Sequence, residues 1–289
     1  MRHVVASNGA RPRDRNFRPR QSELPPEPLK PFIASLLAAS LSLVSQAASP
    51  TVPTAFRVLS FNIHHGEGID QKLDVARIAA LIVKEKADIV ALQEVDRGVA
   101  RTARRDLPGE LAKLTGLAVY FDRNIDHQGG EYGNAVLTNF PVKERKNTPL
   151  QTRGTGEQRG LSQLLLEVHG RDVLFLNTHF DSRPNDAERL SSATEVKNIV
   201  AAAGKIAVVF CGDFNDVPES RTHRAMKESL SDSWELVGLG NGATIPTKKP
   251  TKRIDYIWIT PATVEPLRMT VLESVASDHL PVLGEFRLR

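Results

Sequence analysis

Much that would point to other function classes is missing from this chain. Among 289 residues there is one cysteine, Cys211. That excludes an intramolecular disulfide framework and a multi-cysteine zinc or iron–sulfur site. There is no H-E-x-x-H pair, no G-x-x-x-x-G-K-[ST] loop and no G-x-G-x-x-G turn, so neither a zincin nor a nucleotide-cofactor motif is present. Aromatic residues make up 6% and form no rich cluster. Apolar residues at 40% and charged residues at 25% fit a globular protein and exclude collagen-like, disordered or polytopic membrane character for the main body. The longest uncharged apolar run, Phe32–Val44, is shorter than the ~20 residues a membrane span needs.

The body also lacks an excess of either charge, although the pI of about 9.2 suggests otherwise. Seven of the 38 basic residues and three of the 34 acidic ones lie in the first thirty positions, and residues 31–48 carry none. That leaves 31 of each sign in the rest, so the formal charge of +4 belongs to the leader. A basic start, a short apolar run and the small residues Ser45 and Ala47 at the −3 and −1 positions describe a secretory signal. No cysteine follows to carry a lipid anchor. Residues 1–48 are therefore expected to be leader and signal, and export to the periplasm or the exterior is expected. The basic stretch is long for a signal, and a start near Leu29 would give it an ordinary length. A precursor peptide from residues 1–28 would overturn that start.

Residues 49–289 suit one α/β domain. Arg57–Ile63, Ile89–Leu92 and Ile206–Cys211 read as strands, the last two wholly apolar as when both faces are covered. Asp74 caps a helix with Val75, Ile78, Ala79, Ile82 and Val83 at the 3.6-residue period. A second helix opens at Pro108 and closes at Gly116, a third runs from Asn185 or Asp186 to Gly204, and a fourth starts at Pro218. Further strands are expected at 117–122, 134–138, 142–147, 254–259, 263–271 and 281–288. Residues 161–168 and 172–177 form a hairpin about Gly170-Arg171. Strand–helix units mixed with hairpins imply mixed sheets.

Several of these strands end abruptly in polar residues. Asn62 ends the first, Gln93-Glu94 the second, Asn177-Thr178-His179 the hairpin and Gly212-Asp213-Phe214-Asn215 the strand at 206–211. Asp255 sits among Ile254, Tyr256, Ile257 and Trp258, where a carboxylate is costly to bury without a partner. Ser277-Asp278-His279 precedes the last strand. Any one segment alone reads as a turn or helix cap. Six together suggest convergence beyond strand ends. Their hard oxygen donors suit Mg²⁺, and two histidines can serve as acid and base.

In order, Ser60-Phe-Asn62, Leu92-Gln-Glu94, Thr178-His179, Gly212-Asp-Phe-Asn215, Ile254-Asp-Tyr256 and Ser277-Asp-His279 resemble the endonuclease/exonuclease/phosphatase superfamily over roughly residues 56–288. The resemblance implies a DNase I-like four-layer α/β sandwich, two mixed β-sheets packed face to face with helices outside. It also implies phosphate-ester hydrolysis with a divalent cation, Mg²⁺ with Mn²⁺ as a substitute. By motif, Glu94 with Asn62 and Asp278 would hold the metal. His279 would be the base, paired with Asp255. Asp213 and Asn215 would orient water and contact phosphate, and His179 would donate to a phosphoryl or leaving oxygen.

The substrate is left open. Arg97, Arg101, Arg104 and Arg105, and Lys248, Lys249, Lys252 and Arg253, flank site residues and either bind an anion or form solvated loops. Arg159, Tyr132 and Asn134 are candidate substrate contacts, the last two against the alternative of a glycine-rich bend. His64 and His65 line the cleft or are exposed, and Cys211 is core. A balanced body does not favour nucleic acid, so the expected partner is a phosphate ester of unspecified identity, bound by a monomer without stable membrane insertion. A nuclease, a sphingomyelinase-like lipid phosphodiesterase and a non-catalytic module on the same fold are the alternatives.

Overall fold

The computed structural model describes residues 55–289 except Arg153 and Thr155. The expected leader and signal lie outside the described residues. Two mixed sheets of six strands each dominate. In chain order the elements are β1 (Ala55–Asn62), α1 (Val75–Glu85), β2 (Ile89–Arg97), α2 (Leu107–Thr115), β3 (Ala118–His127), β4 (Gly130–Thr138), β5 (Val142–Pro149), β6 (Gly160–Val168), β7 (Arg171–His179), α3 (Ala187–Ala203), β8 (Ala207–Asp213), α4 (Arg221–Met226), β9 (Ser231–Asp232), α5 (Ser233–Val237), β10 (Asp255–Ile259), β11 (Val264–Val271) and β12 (Val282–Leu288). The first sheet runs β11-β12-β1-β2-β4-β3 and the second β5-β6-β7-β8-β10-β9.

Each sheet holds one parallel pair, β1 with β2 and β7 with β8, bridged by α1 and α3 respectively. Parallel neighbours need such a crossover, and their C-terminal ends fall at the same edge. That edge carries the polar residues. Asn62 pairs in register with Gln93, and His179 with Asp213. Antiparallel β10 begins opposite the end of β8, so Asp255 faces Asp213.

The apolar strands are apolar because both faces are covered. Ile89 and Ala91 join the core between the sheets, while Val90 and Leu92 pack under α1 and α2. Likewise Val209 and Cys211 enter the central core, and Val208 and Phe210 the layer under α3. Period-two alternation thus builds three apolar layers from four layers of structure. This is the sandwich the motif order implied.

Local signals explain most boundaries. The Asp74 side chain accepts from the Ala76 and Arg77 N–H groups and starts α1. Asp106 caps α2, which carries Pro108 in its first turn and closes on Gly116 at φ 73°. Three details differ from the sequence reading. The hairpin turn is His169-Gly170, both at positive φ, as a two-residue turn requires. The helix expected at Pro218 begins at Arg221, because the Ser220 hydroxyl caps it by accepting from His223 N. The short β9 and α5 were not anticipated; the Asp232 carboxylate turns one into the other by accepting from Trp234 N. Cys211 is fully buried, as expected. Among the described residues no helix is long and apolar enough to cross a membrane.

Candidate active site

Glu94 reaches the sheet edge through a bulge. Leu92 pairs with Ala135 and Val95 with Gly133, so two residues of β2 stand opposite Asn134 alone. Glu94 takes φ 58°, a left-handed conformation uncommon outside glycine. The bulge re-aims one side chain at the edge of a sheet. Glu94 is half-buried, and its Oε1 accepts from Asn62 Nδ2 at 3.0 Å. The same amide donates to Asp213 Oδ2 at 2.9 Å, while Asn62 Oδ1 accepts from His64 N at 3.0 Å. Asn62 therefore ties two carboxylates from different sheets.

Beneath it lies a second tie between the sheets. Gln93 Nε2 donates to Asn177 Oδ1 at 2.7 Å, and Asn177 Nδ2 donates to the Leu92 and Ala135 carbonyls, each at 3.0 Å. Both side chains are fully buried. The Ser277 hydroxyl donates to Asn62 O at 2.7 Å and accepts from His279 N at 3.2 Å, which ties the 277–281 loop to the end of β1.

That loop carries His279. Its Nδ1–H donates to Asp255 Oδ2 at 2.9 Å, leaving Nε2 3.6 Å from Asp213 Oδ2. Thr244 Oγ1 donates to the same Asp255 oxygen at 2.5 Å. Burial works against a charge on His279, but Asp255 and then Asp213 outweigh it and raise the imidazole to about 10. Burial, with Asp255 next, pushes the Asp213 carboxyl up to about 7. The direction that stands for the pair is a basic imidazole held as a cation by Asp255, beside a carboxyl that resists ionising. Asp278 is half-buried beside His279 and adds to its positive bias. Its Oδ1 lies 3.3 Å from Ser277 Oγ.

On the other side, His179 Nε2 is 3.5 Å from Asp213 Oδ2 and 2.9 Å from Asn215 Nδ2. Asn215 sits at φ 49° with its N–H on Asp213 Oδ1 at 2.9 Å. Asn62, Glu94, His179, Asp213, Asn215, Asp255 and His279 thus form one connected group, with Asp278 at its edge.

The candidate substrate contacts fare differently. Asn134 is buried, and its amide donates to Gly160 O at 3.2 Å, joining β4 to β6. The position opposite the bulge makes it a structural tie, a correction to the substrate role. Tyr132 is 8% exposed, beside Glu94, with Arg101 stacked 5.4 Å from its ring centroid. Burial, with Glu94 next, raises its hydroxyl well above the usual tyrosine range, so it keeps its proton. Arg159 is also nearly buried and faces His179, not an open cleft.

The arginine cluster is largely self-neutralised, whereas in the second basic stretch only Arg253 is in an ion pair among the described residues. Arg97 pairs with Glu131, Arg101 with buried Asp96, Arg105 with Glu110 and Arg253 with buried Asp232. Lys248, Lys249 and Lys252 are exposed. His64 and His65 are half-buried, both at left-handed φ, with His65 beside Arg101, Asp96 and Glu94. Burial, then Arg101, lowers the His65 pKa. Sequence reasoning missed Thr244, Gln93 and Asn177 as supports. A polar residue inside an apolar strand was the available signal for Asn177.

Among the described residues two groups have donor atoms close enough to hold an ion, Asp213–Asp255–His279 and His223–Asp232–Glu235. The first is bound up in the His279–Asp255 hydrogen bond. In the second, Arg253 already occupies the Asp232 oxygen that His223 uses. The Glu94 side suits a hard cation better. Among the described residues nothing hydrogen-bonds to Glu94 Oε2; Asn62, whose Nδ2 now faces Glu94, would offer Oδ1 to a cation there on turning its amide over, and Asp278 is a further carboxylate on the 277–281 loop. Oxygen-only donors at few positions fit Mg²⁺.

The family model described as "Endonuclease/Exonuclease/phosphatase family" matches residues 59–279. The chain is 25% identical over 248 residues to the protein YbhP of Escherichia coli K12, covering 81% of this chain and 97% of that one. It is 25% identical over 219 residues to a 5'-tyrosyl-DNA phosphodiesterase of Caenorhabditis elegans, covering 72% and 57%. A solved mannosyl-6-phosphatase from Bacteroides thetaiotaomicron superposes with a TM-score of 0.67 at 21% identity, covering 80% of this chain and 99% of that one.

Proposed function

The chain belongs to the endonuclease/exonuclease/phosphatase family, hydrolases of phosphate esters, and on that premise we propose that it is a divalent-metal-dependent phosphoesterase cleaving a small phosphate mono- or diester by in-line attack of water. The observation that carries this reading is the joined pair of His279–Asp255 and Asn62–Glu94, linked through Asp213.

The geometry supports the following roles. His279 Nε2, opposite Asp213 Oδ2, accepts the proton of the attacking water, while Asp255 holds Nδ1–H and stabilises the resulting imidazolium. Asp213 and Asn215 orient water and phosphoryl group. His179 Nε2 donates to a phosphoryl or leaving oxygen. A cation held by Glu94, Asn62 and Asp278, Mg²⁺ with Mn²⁺ as a substitute, would supply Lewis-acid polarisation of the phosphoryl oxygen and a positive charge that draws His279 down from about 10 toward its neutral form. Positioning and charge stabilisation then provide most of the acceleration.

The size preference rests on charge. A polyanion reader offers a run of unpaired cations along a groove, whereas four of the eight here, Arg97, Arg101, Arg105 and Arg253, are each bound to a carboxylate, which leaves Arg104 and the exposed Lys248, Lys249 and Lys252 without an ion pair among the described residues. Export is part of the proposal and rests on the basic start, the apolar run and the small residues before Ala48. Amino-terminal sequencing of the mature protein would show a start after Ala47, and an intact leader on exported protein would contradict it.

The test is a panel of p-nitrophenyl phosphate, sugar phosphates, inositol phosphates, phosphatidylinositol, sphingomyelin, RNA and plasmid DNA with Mg²⁺ or Mn²⁺. Turnover of a small ester supports the proposal. Plasmid nicking alone favours a nuclease, and turnover of sphingomyelin alone a lipid phosphodiesterase. No turnover of any favours a binding module.

A further inference from the structure

Arg159 is 8% exposed and held between two partners. Its guanidinium pairs with Glu157 at 2.9 Å and places NH1 3.1 Å from His179 Nδ1. A guanidinium donates from every nitrogen and accepts at none. The ring nitrogen facing it must accept, so it carries no hydrogen. His179 is 4% exposed, and burial, with Arg159 next, holds its pKa well below the usual histidine range. A neutral ring with a bare Nδ1 carries its hydrogen on Nε2.

The opposite tautomer fails on the same contacts. Hydrogen on Nδ1 would face the Arg159 cation, and no rotation of a guanidinium supplies an acceptor. Hydrogen on Nε2 meets Asn215 Nδ2 at 2.9 Å, which also lies 3.1 Å from Phe180 O. Turning the amide over presents Oδ1 to that hydrogen and gives up the bond to Phe180 O, a loss of one neutral hydrogen bond, whereas nothing makes a guanidinium accept. Asp213 Oδ2, at 3.5 Å, is too far to hold the Nε2 hydrogen firmly.

We propose that Arg159 is a positioning residue that locks His179 as the Nε2–H tautomer, so that the ring enters the reaction as a ready neutral donor to a phosphoryl oxygen. The proposal rests on the site reading above, but the lock itself exists in the resting protein. Arg159 acts on the substrate through His179, and Glu157 fixes the guanidinium that sets the tautomer.

The test is nitrogen NMR of the His179 imidazole in the resting protein, assigned by the signal lost in His179→Gln. Nδ1 should read as a lone-pair nitrogen and Nε2 as N–H between pH 6 and 8. In Arg159→Met the ring should become a mixture of tautomers. Arg159→Lys, which keeps a donor, should restore the single form. Should the methionine variant fail to fold, Glu157→Gln, which frees the guanidinium, should loosen the lock instead. With bis(p-nitrophenyl) phosphate and Mg²⁺, Arg159→Met should lower kcat by about tenfold to a hundredfold, the loss expected when a hydrogen bond to a charged oxygen is withdrawn, with KM nearly unchanged. A protonated Nδ1 in the wild type, or an unaltered tautomer in Arg159→Met, overturns the proposal. Because the NMR needs no turnover, an inactive protein with a locked His179 would count against the phosphoesterase reading and not against the lock.

Discussion

Replacing Asp255 by asparagine tests the acid–base pair with little change of shape. The Oδ2 atom accepts from His279 Nδ1 and Thr244 Oγ1, while Oδ1 is buried without a hydrogen bond. An amide oxygen in the Oδ2 position keeps both bonds and buries an unpartnered NH₂ group, so Asp255→Asn should fold. What it removes is the negative charge beside the imidazolium. Two unit charges about 4 Å apart at an effective dielectric near 20 interact by about 4 kcal/mol. At about 1.4 kcal/mol per tenfold, that is roughly a thousandfold in rate. Thr244→Val removes a hydrogen bond donated to the Asp255 carboxylate, worth about 1.5–3 kcal/mol at most, and should cost no more than about tenfold to a hundredfold. His279→Ala should cost about a hundredfold or more. Residues acting as one unit are not additive, so Asp255→Asn with His279→Ala should be little slower than the worse single variant. The assay is kcat on the best panel substrate with saturating Mg²⁺, with thermal melting as the check on folding. A folded Asp255→Asn within fivefold of wild type, or a double variant with multiplied losses, would refute the pairing.

Other consequences follow from the same geometry. Asn177→Ala should lower unfolding free energy by about 2–4 kcal/mol, because it strips two hydrogen bonds from buried carbonyls and leaves Gln93 Nε2 only its 3.5 Å contact with Ser60 Oγ; urea denaturation with a loss under 1 kcal/mol would contradict this. His179 is buried and stays neutral below the pH at which an unfolded histidine protonates. Above about pH 6.5 it therefore has no effect on stability, and below that the unfolded chain binds a proton the folded one refuses, at about 1.4 kcal/mol per pH unit. Between pH 6.5 and 5.5 wild type should lose about 1 kcal/mol more than His179→Gln, and parallel curves would contradict the neutral ring. Arg253→Met should destabilise by about 3–5 kcal/mol, since it leaves the buried Asp232 carboxylate with His223 and the Trp234 N–H but without its fixed cation; an unchanged denaturation midpoint would refute that role.

The layers were legible because each apolar strand is a run that feeds two cores in alternation, as Ile89–Leu92 does. The site was legible as six polar breaks at strand ends, because a parallel pair delivers both C-termini to one edge. Partner choice was not legible. Arg101 and Arg253 read as free charge in the sequence, yet each closes on a buried carboxylate, Asp96 or Asp232, brought up by the fold. Arg159 read as a phosphate contact, and its direction depends on the start of β6 lying beside the end of β7. Asn134 read as a cleft residue, but the Glu94 bulge turned it into a tie between sheets. Thr244 had no sequence signal: its bond to Asp255 is made across a loop of irregular backbone.

The most direct measurement is hydrolysis of the panel substrates by purified protein with excess EDTA, then with Mg²⁺ restored, for wild type and Glu94→Ala in parallel. The account requires chelator-abolished turnover that Mg²⁺ restores in wild type and does not restore in folded Glu94→Ala at the same metal concentration. Turnover that survives EDTA, or that Glu94→Ala retains in full, would contradict a metal-dependent phosphoesterase built on this edge.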